Sequence, residues 1–434
     1  MRYPKFLQTG GKIAFVAPSF GCATEPYKSG FQRAQKRLQE QGFGLELGPN
    51  CYAGTGVGIS NAPDKCGEEL TEYYCNKTGD CIISCGGGEL MCEILDHVDF
   101  GRIGEADPKW YMGYSDNTNM TFLLATLCDT ASIYGPCASS FGMEPLHQSL
   151  ADALALLQGK KLVMEGYGEW ELESLKDEEH PFVPYNLTET SVIKYILPDG
   201  RTNIESLAQK RQEAGTEEVH SGKGQSVMTE EGLSGKEQSA EAEEVHLGKE
   251  QSIGIEEGLS GKGQSTGTEE VRSEERQRAE TEANPAGHDQ NVEIDFSGRL
   301  LGGCVDCLIN LLGTEYDRVR EFTERYKDDG IIWFLEACDL NLMGIRRAMW
   351  QMEHAGWFQY CKGFLIGRPR TGMKAEEFGI DHYQAACEMI RKYNVPVMMD
   401  LDIGHLPPMM PLICGSMAQV VSDGRKYRVE MNLR

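Results

Sequence analysis

Residues 110–118 read WYMGYSDNT. Trp110–Tyr114 is an apolar run of the kind that forms a buried strand, and helical spacing begins near 117 and continues to about 128. Ser115 falls on the turn between them. The same alternation recurs upstream. Lys12–Pro18 (KIAFVAP) reads as a strand, followed by a helix over 27–41 in which Phe31, Ala34 and Leu38 share one face. Gly44–Leu47 is a second strand and 64–76 a second helix. Asp80–Ser84 (DCIIS) is a third strand that runs into Gly86-Gly87-Gly88, with a helix expected after it. Strand then helix, repeated, specifies a mostly parallel sheet with helices on both faces. Residues 1–145 are therefore assigned to an N-terminal α/β domain of the Rossmann-like or flavodoxin-like kind.

Residues 149–158 are helical in spacing and lead into a second region. It resumes strongly at Gly298. Ile331–Leu335 (IIWFL) has the unbroken apolar character of a strand buried on both faces. Residues 341–355 and 375–392 read as helices, and 363–366, 395–399 and 420–422 as strands. Residues 146–434 thus form a second α/β domain, interrupted at 205–291.

That interruption has a different composition. From Asn203 to Asn291 there is no Phe, Tyr, Trp or Cys, and residues 211–290 hold 19 Asp and Glu against 8 Lys and Arg. A thirteen-residue repeat runs through it: EEVHSGKGQS at 217–226, EEGLSGKEQS at 230–239, EEVHLGKEQS at 243–252 and EEGLSGKGQS at 256–265. Each copy offers one or two apolar residues around central glycines. Burial of so little cannot offset the entropy of ordering the chain. The expectation is a disordered acidic insertion, with His220 and His246 as solvated repeat residues.

The whole chain has 434 residues, 40% of them apolar, and a formal net charge of −25. Two domains is the ordinary reading at this length. The acidity argues against non-specific binding to nucleic acid or to an anionic membrane, both of which need clustered Lys and Arg. No apolar run approaches the ~20 residues of a membrane span. No signal sequence precedes the first strand, and the fifteen cysteines are scattered rather than set in a framework. Both point to a cytoplasmic protein with reduced thiols. Cys304-x-x-Cys307 lacks a second such pair or a His pair at ligand spacing, so it reads as buried structural thiols rather than a metal site.

Ser115 sits two residues after Gly113 on a strand-to-helix turn. Such a turn projects the hydroxyl and places backbone N–H groups of a helix start beside it. The hydrolase pattern G-x-S-x-G is incomplete, because Asn117 replaces the last glycine. On pattern alone a helix-capping serine competes equally with a nucleophile. Gly86-Gly87-Gly88 ends its strand where ligands sit in such sheets, and glycines there permit close approach of a substrate; a plain turn is the competing reading. A serine nucleophile needs a base and an orienting acid. Of nine histidines, His405 stands out in DIGHLPP (402–408), after the strand at 395–399. Glu336 ends IIWFLE, where an acid is costly unless partnered. Ser115, Glu336 and His405 each stand at the C-terminal end of a strand, which suits a triad and also suits caps or a buried ion pair.

The chain resembles the LD-carboxypeptidase family of serine peptidases, which includes the microcin C immunity proteins. The resemblance is carried by GKIAFVAPSFG (11–21), IISCGGGE (82–89), GYSDNT (113–118), GRLLGGCVDCL (298–308), FLEACD (334–339) and DIGHLPPMMPLICG (402–415). It implies Ser115 as nucleophile, Glu336 as acid and His405 as base. It also implies an oxyanion hole from backbone amides of Asp116 and of Gly86 or Gly87. The implied fold is an N-terminal parallel domain with a C-terminal α/β domain of the swivelling type, and the implied assembly a homodimer with no metal or other cofactor. Two substrate classes are implied: a murein peptide that loses its terminal D-Ala, as in peptidoglycan recycling, or a peptidyl or aminoacyl nucleotide conjugate, as in antibiotic immunity. The triple glycine leans toward the second. Trp170 could stack on a substrate ring or belong to the core. A catalytically inert peptide-binding module is the remaining alternative.

Overall fold

The first sheet is built from β1 (Lys12–Val16), β2 (Gly44–Leu47), β3 (Cys81–Ser84), β4 (Trp110–Gly113) and β5 (Ser132–Tyr134), all parallel to one another. The coordinates are a computed structural model in which residues 1–205 and 292–434 are described. Every residue of β3 and β4 is buried, as expected of strands covered on both faces. The helix Tyr27–Glu40 buries Gly30, Phe31, Ala34 and Leu38, the stripe that its spacing dictates.

The second sheet has eight strands. They are β6 (Val163–Glu165), β9 (Lys194–Ile196), β10 (Ile294–Cys304), β11 (Ile331–Glu336), β12 (Cys361–Gly367), β13 (Val397–Leu401), β15 (Met417–Ser422) and β16 (Tyr427–Asn432), in the order β6-β16-β15-β10-β11-β12-β13-β9. Its centre, β10 to β13, is parallel; its flanks are antiparallel. A hairpin of β7 (Glu169–Glu171) and β8 (Leu187–Thr190) stands apart. The remaining strand, β14 (Leu412–Cys414), does not join this sheet. It adds antiparallel to β5 and extends the first sheet to six strands. The chain therefore carries an N-terminal parallel-sheet domain and a C-terminal α/β domain, and apolar residues of both sheets, among them Phe15, Trp110, Trp333 and Met398, form one continuous core.

Two helices differ from their sequence expectation. Only His382–Cys387 of the stretch 375–392 is α-helical. Upstream, Phe378 and Gly379 hold φ of 50° and 75°, which a right-handed helix excludes. Asp381 then opens the helix with a capping box to Gln384. After the glycine run the chain forms a 3₁₀ segment, Met91–His97, before the short helix Phe100–Glu105. The repeat insertion expected at 205–291, with His220 and His246, lies outside the described residues beyond Glu205. Among the described residues no helix is long and apolar enough to cross a membrane.

Candidate active site

Ser115 follows β4 after one residue, Tyr114, and opens a 3₁₀ turn, Ser115–Asn117, that runs into the helix Thr118–Thr126. Its φ is +61°, the left-handed region. For a residue with a Cβ this conformation costs on the order of 1–2 kcal/mol. A strained residue on a strand-to-helix turn is also the geometry of a nucleophile elbow. The position that a glycine would hold in the usual elbow is put to use. Asn117 is fully buried, and its Nδ2 donates to the carbonyls of Gly86 (2.8 Å) and Tyr114 (3.1 Å). Tyr111 donates to Asn117 Oδ1 at 2.5 Å. Asn117 therefore ties the serine turn to the glycine run.

The ends of β4 and β11 and the loop after β13 converge here. Ser115 Oγ lies 2.8 Å from His405 Nε2, and His405 Nδ1 lies 2.8 Å from Glu336 Oε2. Glu336 is the last residue of β11 and is 1% exposed. The other carboxylate oxygen accepts from Tyr134 Oη at 2.5 Å, and the Ser115 backbone N–H donates to the same Tyr134 oxygen at 3.4 Å. Burial, the largest single influence, opposes charge on the imidazole, but Glu336 and Cys338 together outweigh it and push the His405 pKa up. Burial, and then Glu336, also keep the Tyr134 phenol protonated by pushing its pKa up. Tyr134 is a residue that sequence reasoning missed. Its signal was weak: SIY is too short to read as a strand, though Tyr134 too ends its strand and pairs with Gly113 across the sheet.

The loop that carries His405 is held by Asp402. The Asp402 carboxylate accepts from Arg368 Nη2 (2.8 Å), the Tyr167 backbone N–H (2.7 Å) and Tyr427 Oη (3.2 Å). Gly404 has φ +102°, and a Cβ there would overlap the Glu336 carboxylate. Glycine at this point lets the loop cross over the acid and return the imidazole to it.

The relay opens onto a cavity of about 450 Å³ whose wall includes Phe20, Tyr27, Gly86, Gly87, Asp306 and Arg370. Gly87 approaches the serine closely: a Cβ on it would stand 3.2 Å from Ser115 Oγ. Asp116 lies at the start of a helical run, where the first backbone amides have no intrahelical acceptor. Its side chain faces away, accepting from Ser19 Oγ (2.5 Å) and the Met91 N–H (2.8 Å). Burial raises the Asp116 pKa to about 6, against the pull of the Ser19 hydroxyl. Trp170 is not part of the cavity wall. It is 3% exposed, its indole N–H donates to the Thr190 carbonyl, and Arg368 stacks 5.0 Å above its ring. It is a core aromatic.

A two-sheet α/β fold with a strained serine after a parallel strand is the framework of a serine hydrolase. The chain belongs to the LD-carboxypeptidase family of serine peptidases: residues 13–135 match the family's LD-carboxypeptidase N-terminal domain and residues 297–420 its LD-carboxypeptidase C-terminal domain. Comparison with curated proteins gives no match. Among solved structures, the fold is that of the microcin C7 self-immunity protein MccF in its wild-type apo state, with TM-score 0.65, 17% identity, and coverage of 100% of this chain and 99% of that one. The complex of MccF with glutamyl sulfamoyl guanosine aligns with TM-score 0.65 at 16% identity over 99% of this chain and 98% of that chain. An MccF-like protein from Bacillus anthracis aligns with TM-score 0.63 at 17% identity, covering all of both chains.

Proposed function

We propose that Ser115 is the acyl-accepting nucleophile, His405 its general base and Glu336 the acid that orients the base. The observation that carries this reading is the unbroken contact from Ser115 Oγ through both ring nitrogens of His405 to Glu336, at 2.8 Å each, beside an open cavity. With its Nδ1–H donating to Glu336, the imidazole presents a lone pair at Nε2 to the serine proton. As Oγ attacks an amide carbonyl, that proton passes to Nε2 and then to the leaving amine. Backbone N–H groups of Asp116 and of Gly86 or Gly87 receive the developing oxyanion. Water then hydrolyses the acyl-enzyme by the same relay in reverse. In this reading residues 1–145 supply the nucleophile and 146–434 the acid and base.

The substrate we favour is a peptidyl or aminoacyl conjugate of a nucleotide. Phe20 and Tyr27 line the cavity and are 43% and 53% exposed, so flat apolar surface is offered beside the serine, as a base or ring requires. The MccF structures that share the fold include complexes with glutamyl sulfamoyl guanosine and aspartyl sulfamoyl adenosine. Cleavage of a murein tetrapeptide with loss of D-Ala is the second reading, carried by the family's LD-carboxypeptidase domains. The fifteen unpaired cysteines favour a reducing, cytoplasmic setting, and a homodimer is carried over from the family resemblance. The protein is incubated separately with an aminoacyl sulfamoyl adenosine and with murein tetrapeptide, and products are followed by mass spectrometry. Release of the amino acid from the nucleoside alone supports the favoured substrate. Release of D-Ala alone selects the second, and turnover that survives Ser115→Ala overturns the nucleophile assignment.

A further inference from the structure

The Cys304-x-x-Cys307 pair plays no part in the proposed hydrolysis, yet it stands at its centre. Cys304 is the last residue of β10 and pairs in parallel register with Glu336 at the end of β11. The strand ends reach the serine turn because Gly303 has no side chain: a Cβ there would strike Thr118, whose hydroxyl accepts from the Cys304 N–H at 3.0 Å. As a result Cys304 Sγ, a Glu336 carboxylate oxygen and a His405 ring nitrogen lie within 4.8 Å of one another. Cys304 and Glu336 are each 1% exposed. Cys307 and Cys338 pack on Cys304 to form a separate cluster of sulfur. The three thiols and the imidazole also line the cavity, so an ion has a way in.

A thiolate, an imidazole and a carboxylate are a zinc donor set, and Zn–ligand bonds of about 2.0–2.3 Å in a tetrahedron place such donors roughly 3.3–3.8 Å apart. Donors within 4.8 Å of one another close by up to about 1 Å onto the ion, and the 2.8 Å contact between His405 Nδ1 and Glu336 opens to admit it. The sequence shows a lone CxxC without partner ligands; the fold brings the partners from 32 and 101 residues downstream (336 less 304, and 405 less 304). We propose that Cys304, Glu336 and His405 form an inhibitory site for Zn²⁺ or a similar borderline-soft divalent cation. Cys304 binds as the thiolate and releases its proton to solvent. Glu336 binds as the carboxylate. His405 binds through Nδ1, the nitrogen that faces Glu336, and its single ring proton moves to Nε2. A ring that carries its proton on Nε2 donates to Ser115 and cannot accept from it. The ion thereby holds the wrong tautomer and removes the acid from the base. The hydrolysis proposed above routes no step through a metal. The inhibition rests on the function proposed above; the binding does not.

The test uses the full-length protein, stripped with EDTA and titrated with Co²⁺ as a spectroscopic stand-in for zinc. The expected result is thiolate-to-cobalt charge-transfer absorption in the near ultraviolet with tetrahedral d–d bands. Both are lost in Cys304→Ala and kept in Cys75→Ala, which lies outside the cavity. Cys304→Ser, which keeps the side chain's size, guards against misfolding and is checked by circular dichroism. In parallel, Zn²⁺ should inhibit turnover reversibly, with EDTA restoring it. Cys304→Ala should need at least about 100-fold more zinc relative to its own uninhibited rate, the upper end of what loss of even a supporting residue costs a site. Unchanged cobalt spectra in Cys304→Ala overturn the metal site. Cys304-dependent binding without loss of turnover keeps the metal site and instead overturns the role given to His405.

Discussion

Tyr134 Oη donates to Glu336 Oε1 at 2.5 Å while accepting, at 3.4 Å, from the backbone N–H of Ser115. One phenol in the first sheet thus touches both the turn that holds the serine and the acid that the second sheet brings to it. Tyr134→Phe removes the donor and keeps the ring. A hydrogen bond to a charged group is worth about 1.5–3 kcal/mol, so kcat/KM should fall roughly 10- to 100-fold. Because Tyr134 does not itself line the cavity, KM should hold and kcat should carry the loss. Steady-state kinetics on whichever substrate the mass-spectrometric comparison selects decides this; an unchanged kcat removes Tyr134 from the relay.

The positive φ of Ser115 separates chemistry from stability at one position. Ser115→Ala should lose roughly 10⁴- to 10⁶-fold in kcat, as removal of a nucleophile does elsewhere. Ser115→Gly should be equally inactive yet more stable than Ser115→Ala by about 1 kcal/mol, since glycine adopts the left-handed region without the Cβ penalty. Urea denaturation of the two variants compares them directly. Equal midpoints would show that the turn is not strained.

His405 titrates above its ordinary value. Burial works against its charge, and Glu336 together with Cys338 carries the pKa up to about 10. The base acts as the neutral ring, so kcat/KM should keep rising with pH above 6.5 toward that value. Glu336→Gln removes the carboxylate and should bring the rising limb down in pH while lowering the plateau. The sign for stability is opposite. A raised folded pKa stabilises the protein fully below about 6.5 and progressively less as pH climbs toward the folded value. A pH–rate profile whose limb stays in place in Glu336→Gln would contradict the coupling.

Arg368 and Asp402 form a salt bridge at 2.8 Å with side chains 2% and 1% exposed, beneath the loop that ends in His405. Arg368→Met keeps apolar bulk but leaves the Asp402 carboxylate buried without its cation. Breaking such a pair from one side costs about 3–5 kcal/mol. The variant should show that loss in chemical denaturation at neutral pH. The deficit should shrink at low pH, where Asp402 takes up a proton, because burial already pushes its pKa upward. A deficit that does not change with pH would assign the effect to packing alone.

Gly404→Ala tests the crossing over the acid. A Cβ there overlaps the Glu336 carboxylate, and φ is +102°. The loop must move, so turnover should drop at least about 100-fold, the cost of a displacement near 1 Å. The two sheets are untouched, and far-ultraviolet circular dichroism should be unchanged.

The local elements were legible in the sequence. The apolar runs KIAFV, CIIS, WYMG and IIWFLE fall within the strands expected, because a strand covered on both faces admits little else. The three strand-end residues Ser115, Glu336 and His405 were visible as anomalies: a serine after Gly113, an acid closing an apolar run, a histidine among Gly and Pro. Tertiary structure decided the rest, since contacts between distant segments leave no local period. Only there does β14 join the first sheet rather than the second, does Trp170 turn inward under Arg368, and does Tyr134 reach across 202 residues to Glu336. Cys304 shows the division most plainly. Read along the chain it is one half of an incomplete motif. In the fold it stands beside a carboxylate and an imidazole, because parallel register sets strand ends side by side whatever their separation in sequence.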